Sequence, residues 1–375
     1  MMAQGNSLHL PSLTVRGFRG LQKLVLPELG RVTLVAGRNA IGKTTVLDAV
    51  RIYASRGETT LANLLYSRDE VVLHEAEDGT IFYPDYTALF HREATGELAP
   101  RVEIVSEPRE HGVTIEVCDP DQIVNVWQLL EDPPRGVRVS LGGRARSVLR
   151  PSPMGHHSRS GRPPQDSASQ PLFQRTEPSD ESWPEVIPQE SLGPAPMGGR
   201  DLGRLWEQLL FTEGEELAAR AVSLAVGTGV ERVSVLEHVL DHGPMARGVA
   251  KLSGAGRATP IKSLGEGATR LFGIALSLAN ARNGLLLLDE SENGVHYSVQ
   301  QEMWRMILHV AESANVQVVA TTHSWDCITG FAQAALDSRG DGILYRLERT
   351  GACIRGVRYS DEMLRVAAEQ QIEVR

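Results

Sequence analysis

Cysteine is scarce in this sequence, and long apolar runs are absent from it. The 375 residues include three widely separated cysteines, Cys118, Cys327 and Cys353, which excludes a disulfide scaffold and a Cys-x-x-Cys metal site. No stretch approaches the roughly 18 uninterrupted apolar residues of a membrane span, and residues 1–10 lack the basic-then-apolar pattern of a secretory leader. We therefore expect a cytoplasmic protein without a membrane segment.

Lysine is also rare. Four of the 38 positively charged residues are lysines, Lys23, Lys43, Lys251 and Lys262, and the others are arginines. The net charge of −9 excludes a uniformly basic protein that coats nucleic acid. Hydrophobic residues make up 41% of the chain, so a sizeable core can be buried, and the length suits two domains or one large domain with an insertion.

The first 150 residues contain two kinds of pattern. Over 1–70, buried strands are predicted at Leu13–Val15 and Val32–Ala36, and a helix at Thr45–Ser55. Over 71–150, short β-like runs separated by Pro, Gly and Asp predict a small antiparallel β lobe inserted into the chain. These runs are Ile81–Tyr83, Val102–Val105, Val113–Val117 and Val137–Ser140.

Residues 151–200 differ from the rest of the chain because they contain half of its 20 prolines, many serines and few aliphatic residues. Such a segment buries too little apolar surface to offset its ordering entropy, so a disordered linker is predicted. Over 201–375, helical and strand patterns alternate. Helices are predicted at Leu202–Leu210 and Glu213–Val226, and strands buried on both faces at Leu285–Leu288 and Val316–Ala320. The pattern predicts one α/β domain, split in sequence by the β lobe and the linker.

A glycine-rich loop follows the predicted strand Val32–Ala36. Residues 37–44, Gly-Arg-Asn-Ala-Ile-Gly-Lys-Thr, match the phosphate-binding loop in the strand–loop–helix context that this pattern requires. Gly37 and Gly42 let backbone N–H groups surround a polyphosphate, and the helix that follows adds the positive end of its dipole. Lys43 would bind the β- and γ-phosphates and Thr44 would bind Mg²⁺. A chance glycine-rich turn is the alternative.

A second motif is the apolar run Leu285–Leu288, which ends in Asp289 and Glu290. The carboxyl ends of parallel strands form the edge at which open α/β sheets bind ligands. Asp289 would hold Mg²⁺, and Glu290 would orient or deprotonate an attacking water. The alternative is an ordinary strand followed by a solvated acidic turn.

Two shorter motifs are ambiguous on their own. The first is Ser263-Leu-Gly265-Glu266-Gly267, which precedes a helical pattern and could bind the γ-phosphate at a helix N-terminus. Ser263 and Glu266 also fit a capping box. His323, within Thr321-Thr-His-Ser324, can donate a hydrogen bond to a terminal phosphate, although a lone histidine is more often structural.

Taken in order, these motifs resemble those of ABC-type ATPases of the SMC, RecF and OLD branch, and more narrowly of stand-alone bacterial AAA-family ATPases. Leu13–Leu21, with Phe18-Arg19, is similar to the opening strand of that branch. Asp289–Gln300 resembles its extended Walker B and D-loop, and Thr321–Asp326 its histidine switch. The resemblance covers roughly 1–90 and 200–375, while the Ser-Leu-Gly-Glu-Gly signature departs from the transporter type.

The resemblance implies a P-loop NTPase, an ABC-ATPase head with a mixed or parallel sheet. The sequence departs from OLD proteins in one expected respect: the residues after His323 leave no room for the Toprim nuclease domain that OLD proteins carry. The resemblance also implies a homodimer with ATP between the two heads, in which Asn293 to His296 line the interface and Ser263 and Gly265 act in trans. Asp289 would hold Mg²⁺, Glu290 would be the catalytic carboxylate and His323 would sense the γ-phosphate. The phosphate and magnesium ligands implied are Gly37, Asn39, Gly42, Lys43, Thr44 and Thr45.

Three functional interpretations follow. The first is an ATP-hydrolysing switch that acts in DNA repair or phage defence. The second is an ATP-binding module with little turnover that controls a partner effector such as a nuclease; the intact Asp289-Glu290 pair counts against it. The third, the nucleotide subunit of a membrane transporter, is disfavoured by the opening strand and by the signature residues.

DNA contact is a separate hypothesis. Between Asp132 and Asp166 the chain has no acidic residue, and arginines accumulate there. They are Arg135, Arg138, Arg144, Arg146, Arg150, Arg159 and Arg162. This excess of positive charge could contact phosphates, but without an aromatic between Trp127 and Phe173 the segment offers no stacking on bases. A solvated, disordered linker is the alternative.

Overall fold

The structure is a computed structural model that describes residues 8–76, 79–93, 95–107, 111–118, 135–149, 173–174, 184–240, 243–338, 342–351 and 353–370. The strands are β1 (Leu13–Phe18), β2 (Leu21–Leu26), β3 (Val32–Ala36), β4 (Val71–Ala76), β5 (Gly79–Pro84), β6 (Val102–Val105), β7 (Val113–Cys118), β8 (Gly136–Leu141), β9 (Arg144–Leu149), β10 (Phe173–Gln174), β11 (Gln189–Leu192), β12 (Val230–Leu240), β13 (Gly243–Leu252), β14 (Thr259–Pro260), β15 (Leu285–Leu288), β16 (Gln317–Thr322), β17 (Gly342–Thr350) and β18 (Cys353–Tyr359). The helices are α1 (Lys43–Ala54), α2 (Glu58–Tyr66), α3 (Gly199–Glu207), α4 (Glu213–Val226), α5 (Glu266–Asn280), α6 (Tyr297–Ser313), α7 (Trp325–Asp337) and α8 (Asp361–Gln370).

A six-stranded mixed sheet forms the centre of the molecule, in the order β11-β15-β16-β3-β17-β18. Its strands run parallel except for β18, which pairs antiparallel with β17. Strands β3 and β15 have the predicted bounds, and both are buried throughout because the sheet is covered on both faces. The predicted α/β fold is confirmed.

The two faces of this sheet belong to different cores. Because successive side chains of a strand point to opposite faces, Leu286 and Leu288 join a core with helices α3 to α7. Leu285 and Leu287 join a second core with α1 and the antiparallel sheet described next. The mixed sheet therefore lies between a helical layer and a layer made of α1 and β strands.

The second large sheet is antiparallel, with the order β10-β9-β8-β7-β6-β1-β2. The strands predicted over 102–140 are present and antiparallel, but they do not form a separate sheet. Strand β6 pairs directly with β1, with Val15 opposite Ile104, so the inserted strands extend the sheet that begins at the N-terminal strands. Strands β4 and β5 pair only with each other among the described residues.

The predicted linker needs a correction over its last part. Residues 184–200 are described and include β11, which pairs parallel with β15 along Leu285–Leu288. As an edge strand, β11 is held by backbone hydrogen bonds to β15. Its segment buries two apolar side chains, Ile187 just before the strand and Leu192 at its end. With so few apolar residues, the segment resembles a loop in composition. Apart from the short strand β10, residues 151–183 of the predicted linker lie outside the described residues.

Several elements were not predicted. Strands β12 and β13 pair antiparallel with each other, and the strands β17 and β18 precede the last helix. No helix in the described ranges is both long enough and apolar enough to cross a bilayer.

Candidate nucleotide site

The glycine-rich loop connects β3 to α1, as the motif requires. Gly42 has φ +101°, and a side chain there would lie 3.3 Å from a methyl group of Leu21, so only glycine fits comfortably. The Nζ of Lys43 donates to the carbonyl oxygens of Gly37 and Arg38 at 2.9 and 3.0 Å. The ammonium group therefore lies over the loop. Asn39 is exposed in this loop and Thr45 is half-buried in the first turn of α1.

Burial lowers the pKa of Lys43, while the carboxylates of Glu290, Asp289 and Glu292 oppose that effect. The buried ammonium group can bind an anion, and the three nearby carboxylates favour an anion that is bound together with a metal cation. The phosphates of a magnesium nucleotide are such an anion.

Thr44 and Asp289 meet although 245 residues separate them. The Thr44 hydroxyl donates to Asp289 Oδ2 at 3.0 Å, and the Thr321 hydroxyl donates to Asp289 Oδ1 at 2.5 Å. This contact arises because β3, β15 and β16 run parallel, so their carboxyl ends share one edge. A hydroxyl and a carboxylate side by side are hard oxygen donors of the kind that Mg²⁺ takes from proteins, with water and phosphate completing its shell.

Glu290 has an unusual backbone for a residue with a side chain, with φ +47°. Its N–H donates to the Thr321 hydroxyl at 2.9 Å, and the next N–H, from Ser291, donates to the Thr321 carbonyl at 3.0 Å. The side chain of Glu290 is 36% exposed and its Oε1 lies 3.8 Å from Nδ1 of His323. A left-handed backbone costs free energy and is typical of functional sites; here it presents the carboxylate at the sheet edge next to Asp289.

His323 follows β16 at the same edge, and its partner is a carboxylate that the motifs do not single out. Glu292, 7% exposed, accepts the backbone N–H groups of His323 and Ser324 at 3.1 and 3.2 Å. The same oxygen lies 3.4 Å from His323 Nδ1. The structure thus brings together Lys43, Thr44, Asp289, Glu290 and His323.

Arg270 holds the backbone of the turn that contains Asp289 and Glu290. Its guanidinium donates to the carbonyl oxygens of Asp289 and Glu290 at 2.7 and 2.9 Å, and also to that of Gly193. Burial lowers the pKa of Arg270 to about 10, against the opposite effect of the carboxylates of Glu292, Asp289 and Glu290. The residue stays charged at neutral pH and holds the strained turn.

Replacement of Arg270 by Ala is expected to lower the free energy of unfolding by about 3 kcal/mol, because three carbonyl groups lose a charged donor and the buried carboxylate of Glu292 loses a nearby cation. Urea denaturation followed by circular dichroism measures this loss of unfolding free energy. Arg204→Ala is the matched control, since the half-exposed pair of Arg204 with Glu190 is worth no more than about 1 kcal/mol. Equal losses for the two variants would contradict the role of Arg270.

Ser263 and Gly265 take part in none of the hydrogen bonds of this cluster described above. Ser263 belongs to a single 3₁₀ turn, Ile261–Leu264, and Gly265 precedes α5 with φ +112°. The N-terminus of α5 packs closely on the D-loop-like segment: a side chain at Gly267 would lie 3.1 Å from the carbonyl oxygen of Gly294. No side chain caps α5, so the capping-box alternative is wrong.

Residues 215–328 match the model of a family described as an AAA ATPase domain. The match confirms the predicted enzyme class, an ATPase. No relative was found among curated proteins.

Three similar solved structures are head domains of SMC proteins. One is an SMC head bound to the C-terminal winged-helix domain of ScpA (14% identity, TM-score 0.49, covering 94% of this chain and 98% of that chain). The second is the SMC head domain from Thermotoga maritima (13% identity, TM-score 0.44, covering 94% and 100%). The third is an Smc head with an extended coiled coil bound to the C-terminal domain of ScpA from Pyrococcus furiosus (12% identity, TM-score 0.48, covering 97% and 99%).

Proposed function

We propose that this chain is a magnesium-dependent ATPase head of the ABC type, assembled from residues 1–70, strand β11 and residues 201–375, that works as a conformational switch. The observation that carries the proposal is the hydrogen bond between Thr44 and Asp289. It joins the loop that would bind phosphates to the strand that would bind the metal, so one Mg·ATP could contact both.

Each residue at this edge has a role in the proposal. Lys43 and the backbone N–H groups of the 37–45 loop hold the β- and γ-phosphates. Thr44 and Asp289 hold Mg²⁺, which neutralises charge on the phosphate oxygens when it is bound. Glu290 orients the attacking water and takes its proton, and His323 donates a hydrogen bond to the γ-phosphate.

A second copy of the chain would complete the site. Ser263 and Gly265 precede α5, and the first turn of that helix lies against Gly294 and Val295. The N-terminus of a 15-residue helix is a good place for a phosphate. In the proposed homodimer these residues contact the γ-phosphate held by the partner's loop, so that binding closes the dimer and hydrolysis opens it.

For the process that the switch drives, we propose only a general class. A cytoplasmic role in DNA repair or phage defence, with a partner effector such as a nuclease, suits an ATP-driven dimer. Direct DNA contact through the arginine-rich segment has weaker support. Arg146 is buried, Arg135 and Arg144 are exposed, and Arg150, Arg159 and Arg162 lie outside the described residues.

Purified protein given ATP and Mg²⁺ is expected to release many phosphates per chain, with EDTA stopping the release. The measurement is a coupled phosphate assay at several protein concentrations, with and without DNA. Release of no more than one phosphate per chain would contradict the proposed turnover. It would favour the alternative, an ATP-binding module that regulates a partner effector.

A further inference from the structure

Glu292 is a buried carboxylate whose shortest contacts are with the histidine switch. It lies three residues after Asp289, in the turn that leaves β15, and is 7% exposed. Its Oε1 accepts two backbone N–H groups, those of His323 and Ser324, and lies 3.4 Å from Nδ1 of His323. Its Oε2 lies 3.5 Å from the Ser291 hydroxyl.

The cost of burying this carboxylate is offset by a helix. Ser324 is the N-cap residue of α7, its hydroxyl accepting from Cys327 N–H at 3.4 Å, so the two N–H groups that Glu292 accepts lie at the start of a 13-residue helix. Free N–H groups and the positive end of the dipole favour a negative charge there. Arg270, itself buried, adds a nearby positive charge.

The Glu292 carboxylate therefore positions both the backbone and the ring of His323. The two N–H bonds hold the backbone where β16 ends, and the proximity of Nδ1 to the same oxygen sets the direction of the ring. With Nδ1 beside Glu292, Nε2 is the ring nitrogen that would contact a bound nucleotide. The exposed carboxylate of Glu290 is farther from Nδ1, at 3.8 Å, and so remains available to orient the attacking water.

We infer that Glu292 is a positioning residue that holds His323 in the orientation needed to contact the γ-phosphate; the inference rests on the proposed function. Glu292 does not touch the nucleotide in this account and acts only through His323. Because it belongs to the turn that leads into residues 293–296, it also links this segment to the histidine.

Four variants of the full-length chain, compared in steady-state ATP hydrolysis, test the inference. Glu292→Ala is expected to lower kcat about tenfold to a hundredfold, because a small displacement of a catalytic group is that costly, with KM for ATP changed less than about threefold. His323→Ala is expected to lower kcat at least as much. The double variant is expected to match His323→Ala, since residues that act as a unit are not additive. Glu292→Gln, whose amide oxygen can accept the same N–H groups, is expected to recover most of the activity.

Glu103→Ala is the control, because this carboxylate pairs with Arg16 and Arg101 in the antiparallel sheet, and its kcat is expected to equal that of wild type. Wild-type kcat in Glu292→Ala, or additive losses in the double variant, would overturn the inference. If Glu292→Ala fails to fold, Glu292→Asp takes its place: it keeps the charge but draws it back from the N–H groups, and undiminished kcat in that variant would overturn the inference equally. Absence of wild-type turnover, or wild-type kcat in His323→Ala, would instead refute the proposed function.

Discussion

Replacing Glu290 by Gln is expected to lower kcat for ATP hydrolysis by about a thousandfold, while ATP binding changes less than about threefold. A positioned general base contributes roughly 10² to 10⁴ in rate, and the amide keeps the size of the side chain but not its basicity. Thr44 and Asp289 do not depend on the Glu290 side chain, so the metal and phosphate ligands remain in place. With hydrolysis blocked, the ATP-bound homodimer is expected to accumulate.

Phosphate release measures the loss of kcat, and light scattering after gel filtration with ATP measures the accumulation of the dimer. Glu190→Gln is the matched control, because this glutamate lies in the neighbouring strand β11 and pairs with Arg204. It should hydrolyse ATP like wild type. Equal turnover by Glu290→Gln and wild type would refute the role assigned to Glu290.

Replacing Lys43 by Ala is expected to weaken ATP binding at least about a hundredfold, or roughly 3 kcal/mol. The ammonium group is desolvated and lies against the loop carbonyls, where bound phosphates would meet it. Lys43→Arg is expected to bind almost as poorly, because the planar guanidinium is too large for a place suited to a compact charge.

Isothermal titration calorimetry with Mg·ATP measures this loss of affinity. Lys251→Ala is the control, since Lys251 is half-exposed and pairs with Glu231, and its affinity should equal that of wild type. Wild-type affinity in Lys43→Ala would mean that the glycine-rich loop does not bind the nucleotide.

The sequence predicts the central parts of this site because they depend on local patterns. The apolar runs of β3 and β15 end at a glycine and at an aspartate, so both bounds are predicted correctly. Two parallel strands of one sheet must bring their carboxyl ends to one edge, so the contact between Thr44 and Asp289 follows from the strand prediction.

Other parts depend on contacts between distant residues, which local patterns do not encode. The Arg270 guanidinium reaches carbonyls 19 and 20 residues away, and Glu292 meets N–H groups 31 and 32 residues away. Strand β11 has few apolar residues and exists because β15 offers it an edge. The joining of β6 to β1 likewise depends on tertiary pairing, which the composition of the inserted strands does not reveal.

In the proposed site, Thr44 and Asp289 hold one metal ion together with the nucleotide. Titration with Mn²⁺ in the presence of ATP, followed by electron paramagnetic resonance of the free ion, tests this assignment most directly. We expect one Mn²⁺ bound per chain, and at least about tenfold weaker binding in Thr44→Val and in Asp289→Asn, because each removes an oxygen ligand. Wild-type affinity for Mn²⁺ in both variants would contradict the account.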